Sequence, residues 1–198
     1  MKRRDALKNI GLAAGFAIAA PSFLSLLQSC TKTEVWTPIY LNKEEQTVLI
    51  NLVDIILPKT ATTPSASEVM VPQFIDKYIN EVIDTENQEI TRNAFAKVIA
   101  KLKTNESTSV DEITTEQYTA LLDKSLLVRG DIDEERKANP KAKIMTTSEL
   151  LGQIKWLTIF AYRNSEQVGE NVLVYDPIPS SYNCGDLQEL TGGKSYSL

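Results

Sequence analysis

The sequence predicts an all-α protein, a compact bundle of about five helices followed by an extended, proline-containing C-terminal tail. Three observations point to it. Five stretches between Asn42 and Arg163 repeat their apolar residues at helical spacing. Several of these stretches open on a residue suited to capping a helix. Extended-chain composition appears only after Arg163, where Val172, Leu173, Val174 and Tyr175 run into Pro177 and Pro179.

The chain starts with a segment that does not belong to the fold. Residues 1–8 carry Lys2, Arg3, Arg4 and Lys8, residues 10–27 are free of charge, and the run closes on Leu27-Gln28-Ser29-Cys30. A basic start, an apolar stretch and small residues form a secretory signal, here expected over residues 1–29. Arg3-Arg4-Asp5-Ala6-Leu7-Lys8 resembles a twin-arginine signal, an address read by a receptor. The apolar run is rich in alanine and glycine, so its drive into lipid is moderate. That route carries folded proteins, which hints at a cofactor acquired in the cytoplasm by this chain or a partner. Leu27 to Cys30 resembles a bacterial lipobox, which would place a diacylglycerol on the Cys30 thiol and anchor the protein to a membrane. An uncleaved membrane anchor is the competing reading, because the run approaches the roughly 20 residues that a span needs. The expected location is the periplasmic face of a bacterial membrane.

Residues 30–41 read as a tether, with Trp36, Pro38 and Tyr40 lying against the domain of residues 42–198. Asn42 caps a first helix whose opening turn holds Glu44 and Glu45. Its apolar set, Val48, Leu49, Leu52, Val53, Ile55 and Ile56, covers most of the circumference and predicts a central position. Pro58 stops it. Residues 58–71 are a loop, and Pro72 opens a second helix with Phe74, Ile75, Tyr78, Ile79, Val82 and Ile83 as its apolar face. A third helix is expected over residues 86–103, with Ile90, Phe95, Val98, Ile99 and Leu102 inward.

Thr114 with Gln117 forms a capping box for a fourth helix bearing Tyr118, Leu121, Leu122 and Leu126. Residues 128–143 are a charged excursion, broken by Gly130 and Pro140, with room for one helical turn. Thr146 with Glu149 caps the last long helix, whose apolar residues are Leu150, Leu151, Ile154, Trp156, Leu157, Phe160 and Ala161.

Composition narrows function. The 198 residues carry 21 basic and 26 acidic side chains, and removing the signal makes the balance more acidic still. Nucleic acid, which needs basic patches to displace counterions, is excluded as a partner. There is no histidine, which removes Ser-His-Asp and Cys-His catalysis, histidine-containing zinc sites and haem attachment through Cys-x-x-Cys-His. Only Cys30 and Cys184 are present, so acylation of Cys30 leaves no intramolecular disulfide.

Three chemical motifs fail on inspection. Asp131, Asp133 and Glu135 alternate like calcium ligands, but Arg136 stands where that loop needs glycine and Ala142 where it needs glutamate, so a solvated acidic loop is expected. Gly193-Lys194-Ser195 lacks the first glycine of a phosphate loop. Asp54, Asp76 and Asp84 read as caps and surface charge, with no second group converging on them. No catalytic, cofactor-binding or metal-binding residue is assigned.

The tail is different. Ala161-Tyr162-Arg163-Asn164-Ser165-Glu166-Gln167-Val168-Gly169, Val174-Tyr175-Asp176-Pro177-Ile178-Pro179 and Tyr182-Asn183-Cys184-Gly185 resemble the small subunit of gluconate 2-dehydrogenase, the subunit 3 family. Ile55-Ile56-Leu57-Pro58-Lys59-Thr60-Ala61-Thr62-Thr63-Pro64 and Val71-Pro72-Gln73-Phe74-Ile75-Asp76 resemble that family's other recurring stretch. Ser65-Ala66 and Ser180-Ser181 depart from it where glycine is common.

The resemblance implies a non-catalytic subunit associated with the folding, export and stability of a large flavoprotein. That partner is of the glucose-methanol-choline type, binds FAD and oxidises sugars or sugar acids; a cytochrome c subunit often accepts the electrons. Cofactors are then expected in partners and none in this chain. The expected partner-binding residues are Trp156, Phe160, Tyr162, Tyr175, Pro177, Pro179 and Tyr182. Tyr175 and Tyr182, in extended chain, are favoured, since Trp156 and Phe160 share a helical stripe with Leu150 and Leu157 and read first as core. The rival classes are a free-standing envelope lipoprotein that binds a ligand and a small carboxylate-dependent hydrolase.

Overall fold

Local signals set the helices. In the computed structural model, which describes residues 36–105, 107–128, 132–176 and 184–197, the first helix, α1, covers Lys43–Ile56. The Asn42 side chain accepts the Glu45 N–H at 2.9 Å, and the Glu45 carboxylate accepts the Asn42 N–H at 2.9 Å. Val48, Leu49, Leu52 and Val53 are wholly buried, and α1 is the central helix, as its apolar circumference predicts. Around it stand α2 (Val71–Glu81), α3 (Thr85–Leu102), α4 (Thr115–Leu126) and α6 (Thr147–Arg163), all four in contact with it.

The capping boxes expected at Thr114 with Gln117 and at Thr146 with Glu149 open α4 and α6, and Asp84 caps α3 through the Asn87 N–H. Short helices complete the chain: α5 (Glu134–Ala138) in the charged excursion, then α7 (Glu166–Asn171) and α8 (Leu187–Thr191) in the tail. The fold is the helical bundle the sequence predicts.

Pro38–Leu198 form one compact unit; of the other, Met1–Thr37, only Trp36 and Thr37 are among the described residues. Arg3, Arg4, Cys30, Pro177, Pro179 and Tyr182 lie outside the described residues. Among the described residues no helix is long and apolar enough to cross a membrane.

Asp76 is not the cap or surface charge that its type suggests. It is wholly buried. Its Oδ2 accepts the N–H of Ile39 at 2.7 Å, and its Oδ1 accepts those of Tyr40 at 3.0 Å and Leu41 at 2.9 Å. One carboxylate therefore satisfies three consecutive donors of the strap that leads into α1. Arg92 holds the other side of the strap, donating to the Tyr40 carbonyl at 2.8 Å, pairing with Glu45 at 3.1 Å and lying 4.4 Å over the Tyr40 ring.

The acidic excursion is likewise built in rather than solvated. Asp133 is buried; it caps α5 and accepts the Thr146 hydroxyl at 2.6 Å. Arg136 forks onto the Glu149 carboxylate at 3.1 and 2.6 Å, the paired geometry that makes guanidinium-carboxylate contacts strong. Glu135 accepts from Lys101 and from the Thr147 hydroxyl and N–H. These contacts clasp the excursion to the start of α6.

Two apolar faces differ from expectation. On α2 the buried side is Val71, Pro72, Ile75, Asp76 and Ile79, while Phe74, and Val82 just past the helix end, are exposed. On α6, Leu150, Leu151, Ile154, Leu157 and Ala161 are buried, but Trp156 and Phe160 face solvent. In the tail, Val174 makes a parallel bridge with Tyr196, through Val174 N–H to the Ser195 carbonyl at 3.0 Å and Ser197 N–H to the Val174 carbonyl at 2.9 Å.

Two consequences can be measured. Asp76→Ala leaves three strap donors without an acceptor and should destabilise the domain by about 3 kcal/mol or more. Asp76→Asn, which keeps one carbonyl oxygen, should cost clearly less. Urea midpoints at constant slope test the order, and equal losses would mean the carboxylate's role lies elsewhere. Burial pushes the Glu135 pKa up, but the Lys101 and Thr147 hydrogen bonds outweigh it, so the net shift is downward. Folding thus favours the ionised form. Its contribution is complete above the unfolded value of about 4.3 and fades as pH falls through the folded value. Glu135→Gln should therefore flatten the loss of stability on acidification below about pH 4.5, and an unchanged acid slope would refute the assignment.

Candidate partner-binding surface

Helices α2 and α6 make the most extensive helix-helix contact of the bundle, and the sides they turn away from the core bring four aromatic rings together. Trp156 and Phe160 lie one turn apart on α6, so their side chains stand one above the other. They stack with centroids 5.2 Å apart and planes within 12° of parallel. Phe160 reaches across to Phe74 of α2 at 6.1 Å, and Phe74 in turn stacks on Tyr78 at 6.1 Å. Trp156 is 58% exposed, Phe160 45% and Phe74 37%. The result is a continuous aromatic ridge open to water. Such pairs gain roughly 0.5–1.5 kcal/mol from ring geometry, yet contiguous apolar surface of this kind marks interaction sites on soluble proteins.

Backbone features accompany the ridge. Met70, one turn before Phe74, has φ 61° and is 67% exposed. The left-handed region costs a non-glycine residue on the order of 1–2 kcal/mol. Gly152 lies one turn before Trp156 in the interior of α6, where an added Cβ would have nothing within 4 Å. No steric demand within the domain explains the glycine.

The remaining predicted contacts are scattered. Tyr162 is half-buried and donates its hydroxyl to the Pro64 carbonyl at 2.8 Å, so it fastens the end of α6 to the loop before α2. Tyr175 is exposed beside the Val174 bridge. The structure thus groups Trp156 and Phe160, sets Tyr162 to internal work and leaves Tyr175 apart. Phe74, Met70 and Gly152 were missed by sequence reasoning. A glycine inside a strong helical pattern was the available signal for the last.

Other surface features pair with themselves. A cleft of about 770 Å³ at the start of α1 and the end of α3 is lined by Glu44, Glu45 and Lys103 among others. Glu44 pairs with Lys103 and Glu45 with Arg92. Among the described residues no group of three or more cysteines or acids could hold a metal ion.

The model of the family described as gluconate 2-dehydrogenase subunit 3 matches residues 43–179. The chain belongs to this family. No curated protein and no solved structure matches it. The matched range runs from the first turn of α1 into the tail. The Tyr162 to Pro64 hydrogen bond joins in space the two stretches on which the resemblance rests. Membership of the subunit 3 family suggests an accessory chain of a dehydrogenase complex, and the ridge is a surface suited to adhesion.

In the free protein, Gly152→Ala should raise stability by about 1 kcal/mol through helix propensity, some 2–4 °C in melting temperature for a domain of this size. A destabilised variant would mean that the site is crowded.

Proposed function

We propose that this chain is the non-catalytic small subunit of a periplasm-facing, FAD-dependent sugar or sugar-acid dehydrogenase. It binds and stabilises the flavoprotein subunit and assists its export on the twin-arginine route. A lipid on Cys30 then holds the complex at the membrane. The observation that carries the reading is the family match, which covers all the long helices. The exposed aromatic ridge supports it, since an accessory chain acts by contact. The export part rests on Arg3 and Arg4 ahead of an alanine-rich apolar run that ends at Cys30. The flavin and its chemistry belong to the partner.

The tagged full chain, purified from its own host, should bring with it a subunit that releases FAD on acid treatment and is identified by peptide sequencing as a glucose-methanol-choline type oxidoreductase. Replacing Arg3 and Arg4 together by lysine should hold both chains in the cytoplasm, because the receptor reads guanidinium geometry that lysine does not copy. A chain that purifies alone, or a flavoprotein that is exported and active without it, would overturn the accessory role. Undiminished export of the double variant would remove the twin-arginine assignment alone.

A further inference from the structure

We infer that the flavoprotein subunit seats on the α2–α6 aromatic ridge, and that the seat on its side is an apolar hollow with an acidic rim. The inference rests on the accessory-subunit reading and adds the place of contact and its chemistry. The ridge supplies the apolar centre, and aromatic side chains are the residues most often found to dominate binding energy at interfaces.

Charge supplies the rim. Lys77 follows Phe74 by three positions, Arg163 follows Phe160 by three, and Lys155 adjoins Trp156; all three are exposed. Spacings of three or four place side chains as neighbours on a helix. Among the described residues none of the three has an ion-pair partner, a state they share with Lys43, Lys124, Lys137, Lys141 and Lys194; what sets the three apart is their place beside the rings. Two exposed acids stand close to these cations, Glu81 four positions after Lys77 and Glu166 three positions after Arg163, and the cations outnumber them. A chain of net charge −5 therefore shows a positively bordered apolar face at this place.

That border selects the occupant. A two-fold contact between copies would set the ridge against itself, bringing like charges together at a cost in free energy. A partner with carboxylates around an apolar hollow would complement it. An anionic bilayer would attract three cations, but it would repel the acidic remainder of the domain. The backbone agrees with a close macromolecular contact. Gly152 removes the side chain that would hold a partner away from the α6 backbone next to Trp156, and it is a residue that helix propensity disfavours. Met70 extends the α2 side of the ridge in a conformation that only its surroundings stabilise.

The test uses the full chain and the flavoprotein subunit copurified from the same host, with binding read by biolayer interferometry after separation. Trp156→Ala combined with Phe160→Ala should weaken binding at least about 30-fold, with helical circular dichroism and the melting transition retained. Lys155→Glu combined with Arg163→Glu should slow association and abolish the salt dependence of the on-rate seen with the wild type. If the aromatic variant fails to fold, the charge variant decides. Wild type that brings down no FAD-bearing subunit refutes the accessory reading itself. Wild type that binds it while both variants bind equally well refutes only this surface. Ridge-dependent self-association in sedimentation, or ridge-dependent binding to phosphatidylglycerol vesicles with flavoprotein binding unaffected, would assign the surface to a second copy or to lipid and overturn the inference.

Discussion

The buried carboxylate of Asp76 fixes the rotation of α2, and through it the face that the protein shows to the outside. Three backbone donors of the strap, at Ile39, Tyr40 and Leu41, converge on this one group, so α2 must keep Asp76 turned inward. Residues on a helix are offset by about 100° each. Ile75 and Ile79 therefore go into the core with Asp76, while Phe74, two positions earlier, is carried to the far side. A polar residue has decided the placement of an aromatic one. The same carboxylate joins the strap to the bundle, assisted by Arg92 on the opposite flank.

This explains why some elements were legible in the sequence and others were not. The helices of the core could be read because their signals are local: a capping side chain acts on a donor three residues away, and Val48, Leu49, Leu52 and Val53 surround α1 on most sides. Asp76 acts on residues more than thirty positions away, which no window of sequence contains. Reading α2 by its apolar residues alone rotated the helix and put Phe74 inside. On α6 the difficulty was different. Apolar residues occupy both the buried stripe of Leu150, Ile154, Leu157 and Ala161 and the outer positions Trp156, Ile159 and Phe160. Hydrophobicity alone gives no preference between two apolar sides; the packing of α1, α2, α3 and α4 against one of them does.

The charged excursion carries the same lesson. Asp133, Glu135 and Arg136 read as a solvated acidic loop because their partners, Thr146, Thr147 and Glu149, lie in the next element and Lys101 in an earlier one. Once assembled, the cluster covers the first turn of α6 and satisfies donors that would otherwise meet water. The tail is the converse case. Its motifs were the strongest sign of family membership, and they begin inside α6, where Tyr162 bonds to the Pro64 carbonyl, and go on to α7, where Val168 is buried. The recurring tail and loop stretches therefore meet as one structural unit at the end of α6.

Core and ridge divide the work between them. The domain is stabilised from within, by the wholly buried face of α1 and by the strap held to Asp76, with no disulfide among the described residues. The ridge adds its ring contacts to that stability, but its rings stay partly exposed, Met70 sits in a disfavoured conformation and Gly152 weakens the helix that carries it. A protein selected only for its own stability would gain from replacing such residues, because compatible glycine-to-alanine changes in helices are among the readiest sources of extra stability. Features that are unfavourable in the isolated chain and gathered on one face are intelligible where that face is covered in the assembled state. The bundle then serves as a rigid support whose rotation settings, beginning with Asp76, hold the aromatic surface in register before a partner arrives and so limit the ordering cost of binding.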